Sequence, residues 1–459
     1  MRIRLFAIAL LPLLALGCER ESPARRDLHR TIRNAVLIVV DTLRRDHLGA
    51  YGYARDTSPA IDALAAEGIR FERAYSTSSW TAPSVASMLT GLYPSAHRVV
   101  RPKTALPEAV ATLPETLRQA GFATAGVVSN RIIGRRNGFD RGFDWFDQEQ
   151  AKGGHDYEST EGVSETAIRF LQKLSSSEQP FFLFVHFFDP HYSYRRHPEA
   201  GFAAERVGRL DGDEAIQELR RLGPILSDNE IAFLRDLYDE EIHYTDRGVA
   251  RLIATLQELG HNEDTLIVFT ADHGEEFLER GWLGHTRTLY DELVRVPLIL
   301  RMPGPIVRSV IAEPVSLTSL PATILELLGL DVPEAYRGES LVPLLADPSA
   351  VPRDGPLIEV DFAAALAQNA PKTAKKQALV EGRFKIIRDE LAQSIELYDV
   401  VSDPGERTDL AASQPLRRQA LSEALDARFR ALEAGRVEER FRDLSEDELS
   451  ELRALGYGN

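Results

Sequence analysis

Ala35-Val36-Leu37-Ile38-Val39-Val40-Asp41 decides the fold. An unbroken apolar, β-branched run of this length reads as a strand buried on both faces, as in a parallel sheet. The run stops on a carboxylate. In open α/β sheets the carboxyl ends of the strands carry the chemistry, so Asp41 is a candidate ligand or catalytic group. The plain alternative for Asp41 is a cap on the next turn. Two more runs share the pattern. Pro180 to Phe188 ends in Asp189-Pro190-His191, and Thr265 to Ala271 ends in Asp272-His273-Gly274-Glu275. His186 lies inside its run and is expected in the core, whereas His191 lies just past the end. Ala123 to Val128, followed by Ser129-Asn130, and Val296 to Leu300 read as further strands.

Helical spacing fills the gaps between these strands. It covers Thr57 to Ile69, Thr112 to Ala120, Thr166 to Leu174, Ile231 to Leu259 around Asp246, and Leu317 to Leu327. The alternation predicts an α/β fold, a doubly wound and mostly parallel sheet flanked by helices. Gly134 to Asp156 reads as loop, and residues 201–230 as a charged, irregular insertion.

One loop stands apart. Ser78-Ser79-Trp80-Thr81-Ala82-Pro83-Ser84 is rich in hydroxyls and passes into an apolar stretch that stops at Gly91. Proline in the first turn and glycine past the last place a helix start at Thr81 or Ala82. Helix N-termini suit phosphate or sulfate groups, and a hydroxyl there is a candidate nucleophile. Taken alone, the segment also reads as an ordinary helix cap.

The chain has 459 residues, a net charge of −16 and one cysteine. That length holds one large domain and a smaller one. The acidic balance argues against a general nucleic-acid binder. It does not exclude an anionic ester substrate, because a bound metal ion reverses the local field. Residues 1–18 read as a lipoprotein-type signal peptide: Arg2 and Arg4, an apolar run from Leu5 to Leu16, then Gly17-Cys18. Cys18 is the expected lipidation site, although Ala15 stands where the usual motif has Leu. This predicts an exported protein, lipid-anchored in a bacterial cell envelope, with residues 19–33 as a tether. The catalytic α/β domain is expected over 34–350. A small antiparallel sheet with a helix (Leu416 to Leu432) follows over 351–435, and a charged helix and tail over 436–459.

Asp41, Asp189 with His191, and Asp272 with His273 should meet at one sheet edge. A divalent metal held by Asp41, Asp272 and His273 would polarise an ester oxygen and activate the Thr81 hydroxyl. His191 or His285 would protonate the leaving alkoxide or steady the transferring group.

The motifs in order resemble the sulfatase family of the alkaline-phosphatase superfamily over roughly residues 34–410. They are Val39-Val40-Asp41-Thr42 with Leu48-Gly49-Ala50-Tyr51-Gly52, Thr57-Ser58-Pro59, Pro83-Ser84 through Leu89-Thr90-Gly91, Phe188-Asp189-Pro190-His191, Thr270-Ala271-Asp272-His273-Gly274-Glu275, and Glu396-Leu397-Tyr398-Asp399. The resemblance implies Asp41, Asp272 and His273 as ligands of one divalent ion (calcium, manganese or zinc). It puts Thr81 at the nucleophile position, His191 at the ester group, and His285 where the family has Lys or His. The departures are chemical. Sulfatases carry Cys or Ser, matured to formylglycine, where this chain has Thr81, so no formylglycine is expected. Val85 replaces an Arg, Thr42 replaces a second metal-binding Asp, and Ser129-Asn130 replaces a sulfate-gripping Gly-Lys-x-His segment. Asn130 and Asp189 remain as candidate substrate contacts. A Thr ester must be released by a second attack at the central atom, for which phosphorus is the better centre. The expected activity is therefore metal-dependent cleavage of a sulfate or of a phosphate or phosphonate ester. The rivals are an inactive surface protein that binds an anionic glycan or lipid headgroup, and a phospho-group transferase.

Overall fold

A computed structural model describes residues 32–151, 158–304, 309–363, 372–454 and 457. The signal segment with Cys18, and the tether up to residue 31, lie outside the described residues. No helix among the described residues is long and apolar enough to cross a membrane.

The opening run forms β1 (Asn34–Val40), every residue of it buried. The other main-sheet strands are β2 (Ile69–Tyr75), β3 (Ala123–Val128), β4 (Trp145–Asp147), β5 (Phe181–Phe187), β6 (Thr265–Ala271), β7 (Arg295–Val296), β8 (Leu298–Arg301) and β9 (Ser309–Ser316). Their order is β7-β2-β8-β6-β1-β5-β3-β4, with β9 also on β2. The run from β6 to β4 is parallel. β8 is antiparallel to both β6 and β2. The sheet is thus mixed, mostly parallel, and flanked by helices. Register decides where the chemistry goes. Val40 pairs with Ala271 on one side and Phe187 on the other. The next residues, Asp41, Asp272 and Phe188, therefore emerge level with one another at the carboxyl edge. At the other edge Asn34 clamps the same three strands: its amide donates to Asp264 Oδ1 (3.0 Å) and its Oδ1 accepts from the Phe181 amide (3.1 Å).

The helices that bear on the site are α1 (Pro59–Glu67), α2 (Thr81–Thr90), α3 (Leu113–Gln119), α4 (Thr160–Leu174), α5 (Ile216–Leu222) and α6 (Asp228–Glu258). Thr112 and Glu115 form a capping box on α3, and Ser227 and Glu230 form another on α6. Each satisfies end amides that would otherwise lack partners. Buried Asp246 of α6 accepts from the Ala60 and Ile61 amides (2.9 and 2.8 Å), so it caps α1 across space.

The small sheet is an antiparallel meander of β10 (Leu357–Ala363), β11 (Lys372–Glu381), β12 (Phe384–Asp389) and β13 (Ser394–Asp399). Alternation splits its side chains. Ile358, Val360 and Phe362 join the main core, whereas Leu357, Leu379, Ile386 and Leu397 pack with Leu421, Leu425 and Phe429 of a helix, Pro415–Ala434, here α7. The last helix, α8, is Glu446–Ala454.

Several expectations change. The first helix stops at Glu67, and Ile69 opens β2. The stretch read as loop contains β4, and the irregular insertion contains α5. The run at 296–300 is two short strands, β7 and β8. Each of these elements is short, or edge-like and rich in charge, so tertiary pairing outweighs its weak local pattern.

Candidate active site

α2 starts at Thr81, with Pro83 in its first turn and Gly91 ending it in the left-handed conformation (φ 64°). All ten of its residues are buried. Hydroxyls hold it in place. Ser84 donates to the Asp272 carbonyl (2.7 Å) and meets Ser76 (2.8 Å), while Thr77 donates to Ser87 (2.8 Å). The start of α2 is thereby tied to the end of β6.

No side chain caps α2. The Thr81 hydroxyl instead lies 3.4 Å from both carboxylate oxygens of Asp41 and 3.4 Å from His273 Nε2. Asp41, Asp272 and His273 bring ligand atoms within 4.8 Å of one another, all buried. His273 Nε2 is 3.6 Å from Asp41 Oδ1 and 3.7 Å from Asp272 Oδ2. These spacings are too long for good hydrogen bonds. They match the edges of a tetrahedron of ligands about 2.0–2.3 Å from one ion, which are roughly 3.3–3.8 Å.

The donor chemistry agrees with such a centre. His273 Nδ1–H donates to the Gly274 carbonyl (2.8 Å), which leaves the Nε2 lone pair pointing at the carboxylates. Asp272 Oδ1 accepts from the Thr42 and His273 amides (3.1 and 2.8 Å), while Oδ2 has no partner. Asn130 Nδ2 donates to Asp41 Oδ2 (3.0 Å). Burial, and next the Asp272 charge, push the Asp41 carboxyl well above its usual range. Burial opposes the Asp272 charge too, but the His273 and His186 imidazoles hold Asp272 below its usual range. Two fully buried carboxylates side by side, with only imidazoles as ion-pair partners among the described residues, lack a cation. A divalent ion fits that deficit.

His186, expected in the core, is buried, yet both of its ring nitrogens lack hydrogen bonds. Its Nε2 lies 3.9 Å from Asp41 Oδ2 and 3.8 Å from Asp272 Oδ2. The signal for it was present: an imidazole in an all-apolar buried strand needs a polar reason.

His191 and His285 come together beside His273. Their rings are 5.0 Å apart, and His285 lies 4.5 Å from the His273 ring. His191 Nδ1–H donates to the Tyr192 carbonyl (2.8 Å), and burial pushes this imidazole down to about 3. His285 Nδ1 meets Glu275 Oε1 at 2.9 Å; burial lowers the imidazole and raises the Glu275 carboxyl. Glu275 and Tyr457, whose hydroxyl lies 3.1 Å from His285 Nε2, were not anticipated.

Two expected substrate contacts are occupied elsewhere. The Asp189 carboxylate accepts from the Ser159 and Thr160 amides (3.0 and 2.9 Å) and the Thr160 hydroxyl (2.7 Å). It caps α4, because unpaired helix-end amides attract a carboxylate. Asn130 holds Asp41 and accepts the Ile132 amide (3.2 Å).

With this geometry in place, the relatives can be compared. The family profile described as Sulfatase matches residues 33–330. The chain belongs to the sulfatase family. A second profile, N-sulphoglucosamine sulphohydrolase C-terminal, matches residues 278–434 of this sulfatase-family chain. It is 24% identical over 427 residues to the ulvan-active sulfatase of Formosa agariphila, covering 86% of this chain and 80% of that protein. Its fold superposes on a protein solved in complex with its substrate D-glucosamine-2-N,6-O-disulfate (TM-score 0.73, 21% identity, 88% of this chain and 98% of that one). It superposes as well on the phosphonate monoester hydrolase of Agrobacterium radiobacter (TM-score 0.72, 23% identity, 91% and 99%). The protein is therefore an ester hydrolase of the alkaline-phosphatase superfamily.

Proposed function

We propose that the chain is a metal-dependent hydrolase of anionic esters that uses Thr81 as nucleophile, with phosphate or phosphonate esters preferred and sulfate esters as the alternative. The observation that carries this reading is the Thr81 hydroxyl, 3.4 Å from both Asp41 oxygens and from His273 Nε2 at the first turn of α2. A divalent ion held by Asp41, Asp272 and His273 would supply the positive charge that polarises the ester and favours the alkoxide of Thr81. The positive end of α2, without a side-chain cap, favours the charge of the transferring group. Asn130 and the Thr42 amide orient the two carboxylates. His191 and His285, whose rings lie 5.0 Å apart beside His273, would meet the leaving oxygen. The Thr81 ester is then released by water attacking the central atom, the route for which phosphorus is the better centre.

Sulfate stays in contention through the relatives, one of them named for ulvan and one solved with a sulfated glucosamine. The test compares aryl phosphate, phosphonate monoester, phosphodiester and aryl sulfate with calcium, manganese and zinc. Thr81→Ala should lower kcat by 10³-fold or more on the preferred ester. Full activity in Thr81→Ala would overturn the nucleophile, and a dominant aryl sulfatase activity would overturn the preference for phosphorus. We also place the protein in a bacterial envelope, exported and anchored through Cys18; Cys18→Ala should then move it from the membrane to the soluble fraction.

A further inference from the structure

Tyr457 contacts the site from far along the chain. It lies beyond α8, yet it is only 1% exposed. Its amide bonds to the Leu452 carbonyl (2.8 Å), and its ring packs 6.3 Å from Trp80 and 6.2 Å from Phe362. Trp80 directly precedes Thr81, and Phe362 comes from the small sheet. Three distant segments thus wall one side of the site with aromatic rings.

The phenol points inward, not at this wall. Its oxygen is 3.1 Å from His285 Nε2 and 3.4 Å from His191 Nε2. The second distance is poor for a hydrogen bond, so the hydroxyl sits between two imidazoles without a good bond to both. The tautomer of His191 explains why that matters. A carbonyl can only accept, so the 2.8 Å contact to Tyr192 fixes the His191 proton on Nδ1 and leaves a lone pair on Nε2. A departing ester oxygen carries growing negative charge, and a lone pair repels it. The hydroxyl between the two rings carries a hydrogen that can turn to that oxygen.

We propose that Tyr457 belongs to the leaving-group side of the site, where its O–H donates a hydrogen bond to the bridging ester oxygen as the ester bond breaks. The inference rests on the hydrolase reading above. The electron pair of the breaking bond goes to the leaving oxygen, which Tyr457 stabilises by hydrogen bonding while keeping its own proton; the proton given up by the Thr81 hydroxyl ends, through water, on the leaving alcohol, and the water that later releases the Thr81 ester returns a proton to Thr81. Deep burial favours the neutral phenol in that role.

Such a donor matters most where the leaving oxygen is most basic. The experiment uses Tyr457→Phe in the full chain, with one good (nitrophenyl) and one poor (alkyl) leaving group on whichever acid the wild type cleaves. The alkyl ester should lose about 30–300-fold in kcat, the aryl ester no more than a few-fold, and KM should change little for either. Equal losses on both esters, or a loss confined to KM, would show that the ring only packs the site and would overturn the proposal; so would unchanged kinetics on both. Calorimetric titration with inorganic phosphate and sulfate gives a second reading. Tyr457→Phe should bind these ions like the wild type, because neither has a leaving group, and lost binding would also overturn the proposal. Should the wild type cleave no ester, the hydrolase reading itself falls and takes this inference with it.

Discussion

The smallest unit that determines the chemistry is a set of hydrogen bonds behind the acidic residues. Asn130 donates to Asp41, so its effect should appear in metal binding. Asn130→Ala should weaken divalent-ion affinity about 10–100-fold, as losses of outer contacts do, measured by chelator competition without substrate. Unchanged affinity would mean that Asp41 is held by other contacts. Thr42 is a second case. Its side chain replaces a ligand expected by family resemblance and its hydroxyl has no partner, but its amide still orients Asp272. The backbone contact survives a side-chain change. Residue-level reading of the sequence found Asp41, Thr81, His191, Asp272, His273 and His285, which the fold does bring together. It gave no role to Glu275, which stands in the same strand-end cluster but acts only through His285, or to Tyr457, which no apolar run marks. It did not foresee that Asp189 caps α4 and that Asn130 holds Asp41, because a sequence does not show which helix end or which neighbour will claim a side chain.

At the level of elements, α2 is the part that must not move. His97 buttresses it: Nδ1 accepts the Val99 amide (3.1 Å), so the proton sits on Nε2, which faces Ser87 Oγ at 3.1 Å. Burial pushes this imidazole down to about 3. The folded form therefore excludes a proton that the unfolded chain takes up near pH 6.5. The stability from neutral His97 is fully present above about pH 6.5 and is lost as pH falls towards 3. Moving from pH 6.5 to 5 should cost about 2 kcal/mol from this group. Thermal melting across that range should show the loss, and His97→Asn should flatten it; an equal slope in the variant would contradict the assignment. Among elements, β1, β5 and β6 were legible because they are buried on both faces, where sequence must be uniformly apolar. β4 and β9 were not. They are short or exposed to solvent on one side, and only pairing with a neighbour makes them strands. α6 was read well because its long helical period carries more information than its ends do, and Asp246 within it turns out to cap α1.

Across the whole molecule, the small sheet is joined to the main one by a buried charge. Lys385 of β12 is wholly buried and meets Asp291 Oδ1 and Glu406 Oε1, both at 2.9 Å. Lys385→Met would leave Glu406 buried without its cation and Asp291 with only Arg295, 3.4 Å away. We expect a loss of about 3–5 kcal/mol in urea unfolding. A neutral outcome would show that water reaches these acids in the variant. The architecture also sets an order of events. β1, near the start of the fold, has as its neighbours strands that begin at residues 181 and 265. A chain emerging N-terminus first therefore carries its central strand for more than 140 residues before the first partner exists, and for more than 220 before the second. Contacts this distant make folding slow. A chain made in this order cannot bring Asp41 beside Asp272 and His273 until more than half of it has emerged, so the acidic centre is among the last features that synthesis can complete.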